Sequence, residues 1–237
     1  MRSGRRLARW GALPALATTG LLCSCGAATP SAAHLLQEAG RTMATSSYQL
    51  TGGDRAGQAR VSFSLRELPS GAFSGAVQFS VPPSPVLSTE VVSLGPRVWV
   101  LSAAALAQLG ITSLPGHLNP ATTWVLQPSG VGVRYRQSVA PFVGAGLETT
   151  LVKLSAGRPL VSATEFSGAA AWRLQERGRG GESLTIYLQR QPLLVLQLQV
   201  SGPDGFEIRY SDFGQIAEVT PPPPAEVYVP PTPAPGT

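Results

Sequence analysis

Two cysteines, two histidines and a scatter of carboxylates are the groups in this 237-residue sequence that could carry chemistry. His34 and His117 have no companion at ligand spacing, so they read as surface or capping residues and predict no metal site. Gly71-Ala72-Phe73-Ser74-Gly75 holds a serine among glycines in the wrong register for a nucleophile elbow and reads as a strand entry. Gly178-Arg179-Gly180-Gly181 could cradle an anion, yet it lies between two strand patterns rather than at a helix N-terminus, so a hairpin turn is the better reading. Glu165, Glu176, Glu182, Glu207 and Asp212 fall on predicted strands or turns among apolar neighbours, which places them on solvated faces and gives no glycosidase-like pair. The sequence has no GxSxG, HExxH, P-loop or GxGxxG pattern. It reads as a non-enzyme without cofactor or metal.

The cysteines are the exception. Leu22-Cys23-Ser24-Cys25-Gly26 places Leu at −3 and small residues at −2 and −1 before Cys25, the pattern of a bacterial lipobox. The chemistry there is transfer of a diacylglycerol to the sulfur, cleavage before Cys25 and acylation of the new N-terminus, typically with palmitate. Cys23 fits less well, because Leu22 would occupy the −1 site. What precedes Cys25 has the form of a signal: Met1 to Trp10 is basic, and Gly11 to Leu22 is an uncharged apolar run of signal length, too short for the roughly 20 residues of a membrane span. A signal peptide over 1–24 is predicted, with the Sec and twin-arginine routes both open at Arg5-Arg6. An ordinary secreted protein with two incidental cysteines is the alternative. No later run reaches 18 apolar residues, so the expected mature chain is held at the extracytoplasmic face of the cell membrane by its anchor and does not span it.

This division changes what the charge means. The formal net charge is +5, from 18 basic and 13 acidic residues. Removing Arg2, Arg5, Arg6 and Arg9 with the signal leaves 14 against 13. A nearly neutral chain offers no electrostatic footprint for nucleic acid. Charged residues make up 13% and hydrophobic ones 43%, so the domain must bury much apolar surface or offer it to an apolar partner.

The elements follow from periodicity. After a tether over 25–31, Leu35, Leu36, Ala39 and Met43 share one face of a predicted helix over Ala32 to Ala44, with Thr29 or Ser31 as its cap. Period-2 alternation then predicts strands at Tyr48–Gly52, around Val61, Phe63 and Leu65, around Val77, Phe79 and Val81, at Leu87–Leu94 and at Arg97–Leu101. Gly52-Gly53, Pro69-Ser70-Gly71, Pro82–Pro85 and Gly95-Pro96 read as the punctuation between them. A short helix is predicted over Ala103–Leu109, a connection over Leu114–Gly130, and one amphipathic helix over Arg136–Leu154, weakened by Gly144 and Gly146. Strands resume at Leu160–Phe166, Ala170–Glu176, Ser183–Gln189, Leu193–Val200 and Gly205–Tyr210. In Leu193–Val200, Leu196, Leu198 and Val200 are expected inward, against Gln197 and Gln199. Strand block, helix, strand block is an α+β order, with one domain over 32–220. The Pro-rich tail over 221–237 is predicted to join no sheet and to be polyproline-II or disordered.

The lipobox at Cys25, the opening helix ending at Met43-Ala44-Thr45-Ser46-Ser47-Tyr48, the helical section after Trp124-Val125-Leu126 and the closing Ile208-Arg209-Tyr210-Ser211-Asp212-Phe213-Gly214 with Val219-Thr220-Pro221-Pro222 behind it are together similar to the LppX/LprAFG-type family of actinobacterial envelope lipoproteins, related in fold to the LolA-like carriers. The likeness covers residues 25 to 224. It implies a strongly curved antiparallel β-sheet, a half-barrel, with helices packed across its concave face and an apolar cavity for acyl chains between them. Carried onto this sequence, the cavity candidates are Val61, Phe63, Leu65, Val77, Phe79, Leu196 and Leu198 on strands, facing Val139, Phe142, Leu147 and Leu151 on the helix. The glycine-broken helix and the extra proline insertions depart from the family pattern.

The function expected on this footing is that of a monomeric, membrane-anchored lipoprotein that holds a lipid or glycolipid for transfer within the cell envelope. The alternative is a non-carrier scaffold or sensor of the same architecture with a filled core.

Overall fold

Ser31 starts the chain's first helix. Its Oγ accepts a hydrogen bond from the His34 backbone N–H at 3.2 Å, satisfying a donor that the first turn leaves free. This is seen in a computed structural model that describes residues 29–56, 59–80, 86–101, 106, 111, 114–178, 181–203 and 205–231. The signal and Cys25 lie outside the described residues, as does the predicted Ala103–Leu109 helix except for Leu106. Helix α1 covers Ala32–Ala44 as predicted and buries Leu35, Leu36, Ala39 and Met43 on one face.

Strands β1 (Tyr48–Ala56), β2 (Ala59–Glu67), β3 (Phe73–Ser80), β4 (Leu87–Leu94), β5 (Arg97–Leu101) and β6 (Trp124–Leu126) come next. Helices α2 (Ser129–Val139) and α3 (Gly144–Ser155) follow, joined by a 3-10 turn at Ala140–Phe142. Strands β7 (Leu160–Phe166), β8 (Ala169–Arg177), β9 (Ser183–Gln189), β10 (Val195–Ser201) and β11 (Phe206–Ser211) close the order, with β12 at Val227–Tyr228. All twelve form one open sheet in the order β12-β6-β5-β4-β3-β2-β1-β11-β10-β9-β8-β7. Two antiparallel meanders thus meet where β1 pairs with β11. The domain is mostly sheet with few helices.

The two faces of the sheet bury different sets. Val91, Val98 and Val100 join a large cluster with Leu35, Leu36 and Met43 of α1, Leu147 and Leu151 of α3, and Leu50, Leu65, Leu174, Ile186 and Leu198 of the strands. The alternate residues Val92 and Trp99 join a smaller cluster with Ala72 and Val219, flanked by Trp124 and Val227. Alternation along β4 and β5 divides these two sets.

Four expectations are corrected. Gly52-Gly53 is not a turn but lies inside β1, where a Cβ on Gly52 would come 2.3 Å from the Glu207 carbonyl oxygen of β11. Trp124–Leu126 is a strand rather than part of a connection, pairing with β5. The tail rejoins the sheet: Val227–Tyr228 pairs in parallel with β6, as an edge strand that needs partners on one side only. The single helix over Arg136–Leu154 is two helices. Pro141 lies in the 3-10 turn, Val143 is extended, and Gly144 takes φ +46°, a conformation that disfavours a side chain.

That break is held by specific atoms. The Gly144 N–H donates to the Tyr48 hydroxyl at 2.8 Å, and the Tyr210 hydroxyl donates to the Phe142 carbonyl at 3.2 Å. The two tyrosine rings meet edge-on with centroids 5.6 Å apart. Burial pushes both phenols above their ordinary range. Beside them Glu67, directly opposite Tyr48 in the ladder, is fully buried, and neither carboxyl oxygen has a hydrogen-bond partner among the described residues. Loss of water around it pushes the Glu67 carboxyl up to about 8, so it is neutral at pH 7.

Two outcomes follow from this junction. Helix propensity favours Ala over Gly by about 1 kcal/mol, but a Cβ at Gly146 would come 1.8 Å from the Ala140 carbonyl oxygen. Gly146→Ala is therefore expected to lower the urea midpoint, by roughly 1–3 kcal/mol in stability; a raised midpoint would contradict the broken-helix geometry. For Glu67, the folded chain retains a proton that the unfolded chain loses above about pH 4.5, so stability is full below that pH and falls as pH rises towards 8. Glu67→Gln keeps the shape without the titration and should flatten that decline, gaining roughly 2–5 kcal/mol at pH 8. Thermal unfolding across this window checks it, and an unchanged slope in the variant refutes it.

Candidate functional site

Three rows of side chains on β1, β2 and β3 build the site. On β2 they are Val61, Phe63, Leu65 and Glu67; opposite them stand Asp54, Gly52, Leu50 and Tyr48 on β1, and Phe79, Val77, Gly75 and Phe73 on β3. Gly52 and Gly75 carry no side chain, so this face is full at the Tyr48 end and thinned at the level of Phe63 and Leu65. The space left is a cavity of about 270 Å³. Val61, Phe63, Leu65 and Val77 wall it from the strands, and Val139 and Phe142 from α2 and the 3-10 turn. Six residues singled out from the sequence are thereby brought together. Leu50, Phe206 and Ile208 complete the apolar lining, with Gly53 and Asp54 at one end.

A second space of about 340 Å³ lies towards β8–β10, lined by Phe142, Leu154, Leu184, Leu198, Val200 and Phe206, with Glu176 and Glu182 among its polar residues. Leu198 is found here rather than in the first cavity. A wider groove of about 580 Å³ has Ser62, Gln78, Gln199 and Glu207 among its residues. With Gly53 they occupy one row of paired positions that alternates with the row of Val61, Phe63 and Val77, so their side chains belong to the other face of the sheet. The apolar walls of the first space suit an apolar ligand.

The remaining candidates stand elsewhere. Leu147 and Leu151 are fully buried, packed in the core rather than on a cavity wall. Phe79 lies opposite Val61 near the strand end and is 43% exposed. Leu196 sits at a bulge: the pairing of β10 with β9 shifts between Val195 and Gln197, and the extra residue reverses the alternation. Val195 and Leu198 are therefore the buried pair, Leu196 is half-buried, and Gln197, expected to face solvent, is 5% exposed. A bulge has no period-2 signature, so alternation misplaced these side chains.

Sequence reading passed over Glu67, Phe206 and Ile208. The signal for Glu67 was present, since it continues the alternation of Val61, Phe63 and Leu65. Phe206 and Ile208 belong to a correctly predicted strand, but only its pairing with β1 brings them to this place.

Both histidines are exposed, and among the described residues no group of three or more His, Cys, Asp and Glu could hold a metal ion. Glu207 pairs with Arg209 at 2.7 Å in an exposed position, where such a pair contributes little. No described helix is long and apolar enough to cross a membrane.

No family model matches the chain, and no curated protein matches it. Among solved structures it is similar to an uncharacterized conserved protein from Thermus thermophilus, with 13% identity, a TM-score of 0.41, and coverage of 83% of this chain and 98% of that one. It is also similar to a chain of the MucA/MucB complex of Pseudomonas aeruginosa, with 15% identity and a TM-score of 0.39, covering 77% of this chain and 56% of that one. A DUF1329 family protein from Desulfovibrio piger shows 12% identity and a TM-score of 0.27, over 77% and 90% of the two chains. At these values the likenesses establish no family.

Proposed function

We propose that this chain is a membrane-anchored envelope lipoprotein that binds acyl chains of a lipid or glycolipid in the cavity between β1–β3, β11 and the α2–α3 turn. On this reading the open sheet is a half-barrel, the helices lie across its concave face, and the protein works as a carrier with no catalytic step. The observation that carries it is the apolar lining: of the residues around the 270 Å³ space, only Gly53 and Asp54 are not large apolar side chains. Each acyl methylene moved from water into such a space contributes about 0.8 kcal/mol, so a chain is held without a specific polar partner. The volume lies just below the roughly 300–1,000 Å³ of ordinary ligand sites, and the second space adds to it. Cys25, acylated at its sulfur, would keep the chain near the membrane that supplies the lipid.

A scaffold or sensor is the second reading, and the burial of Leu147 and Leu151 favours it, because the core beneath α3 is filled rather than hollow. Lipid content separates the two. Unlipidated Cys25→Ala protein from a bacterial host, analysed by native mass spectrometry, should carry co-purifying lipid. Val77→Trp, which fills the cavity, should abolish that lipid while leaving the thermal midpoint within a few degrees. A lipid-free wild-type background overturns the carrier reading and leaves the scaffold. For the anchor, Cys25→Ala should move the chain from the membrane fraction to the soluble one, and retention in the membrane would refute acylation there.

A further inference from the structure

We infer that Phe206 is a specificity-determining residue of this cavity: with Phe142 it divides the apolar space into two limbs and so limits the length of chain that one limb accepts. The inference rests on the lipid-binding reading above. Phe206 borders the 270 Å³ space and the 340 Å³ space alike. The ladder explains why. Phe206 pairs across to Asp54 of β1 on one side and to Val200 of β10 on the other. Asp54 lines the first space and Val200 the second. The ring thus stands between the two spaces.

Phe142 meets it from the helical side. It lines both limbs, and its ring lies edge-on to Phe206 with centroids 5.8 Å apart at 63°. The two rings together run from the sheet to the 3-10 turn. Both are only partly buried, whereas Tyr210, four residues beyond Phe206 on the same strand face, is buried and ties the turn down through its hydroxyl. A core packing role alone would not place one ring on two separate spaces. A single edge-to-face contact is weak beside the burial of several methylenes, so a shorter or absent ring at either position joins the limbs.

The test is a chain-length series. Saturated fatty acids from octanoate to stearate are titrated calorimetrically into the full chain carrying Cys25→Ala, which has no acyl group of its own. Affinity should climb with chain length and then stop climbing once one limb is full. Phe206→Ala should move that limit to longer chains and tighten stearate roughly tenfold, the gain from about two further buried methylenes. Phe142→Leu, which retains more of the packing, should shift the limit in the same direction and serves if Phe206→Ala does not fold. An unchanged limit in the folded variants overturns the partition, as does an equal loss of affinity at every chain length. If the Cys25→Ala chain binds no fatty acid at all, the lipid-binding reading itself fails.

Discussion

Six residue pairs between β1 and β11, from Gln49 with Ser211 to Asp54 with Phe206, join the two halves of this protein. Without them there are two separate meanders, each with an open edge and an uncovered apolar face. The pairing needs Gly52, because the Glu207 backbone approaches so closely that a Cβ would meet its carbonyl oxygen. It also brings Phe206, Ile208 and Tyr210 from near the chain's end to Leu50 and Tyr48 from near its start. The loop closed by this contact contains nearly the whole domain. Loop-closure entropy grows only slowly with length, so such a contact is affordable, but it can be rewarded only after the intervening strands are in place.

The cavity and the buried polar junction are consequences of the same pairing, at opposite ends of one set of rows. At one end, large side chains and tyrosine hydroxyls fill the space and hold the turn between α2 and α3 by its own backbone groups. At the other, glycines on β1 and β3 leave it unfilled. The turn itself carries Phe142, so the element that closes the cavity is anchored by the end that is packed. Glu67 is the cost of that anchoring: burial holds its carboxyl neutral, and the junction is strongest in acid.

Local order was legible. The helix at Ala32–Ala44 showed its face in the spacing of Leu35, Leu36, Ala39 and Met43, and the strands at Leu87–Leu94, Arg97–Leu101, Leu160–Phe166 and Ser183–Gln189 were read at their observed bounds. Misreadings arose where a residue does two jobs. Gly52 looks like punctuation because glycine in a strand is unfavourable locally, and only the neighbouring strand explains it. Gly144 looks like a weak helical residue, yet its positive φ is what turns the chain. Prolines on both sides of Val227–Tyr228 hid a short edge strand. Of the candidate cavity residues, those in regular alternation on β2 and β3 were brought together except Phe79 at the strand end, whereas Leu196 was displaced by a bulge that leaves no trace in periodicity.

The amino-acid sequence by itself determined the strand and helix periods, the apolar faces, the scarcity of charge and the absence of a recognisable catalytic motif, because these depend on residues close together along the chain. It also carried the lipobox-like pattern Leu22-Cys23-Ser24-Cys25, which needs only adjacent residues to be seen. Only the tertiary structure decided that the two meanders form one sheet, that Glu67 is sealed beneath the turn, and that Phe206 stands between two apolar spaces. Each of these depends on which backbone lies beside which across most of the chain's length, and on where side chains fail to fill the space between them.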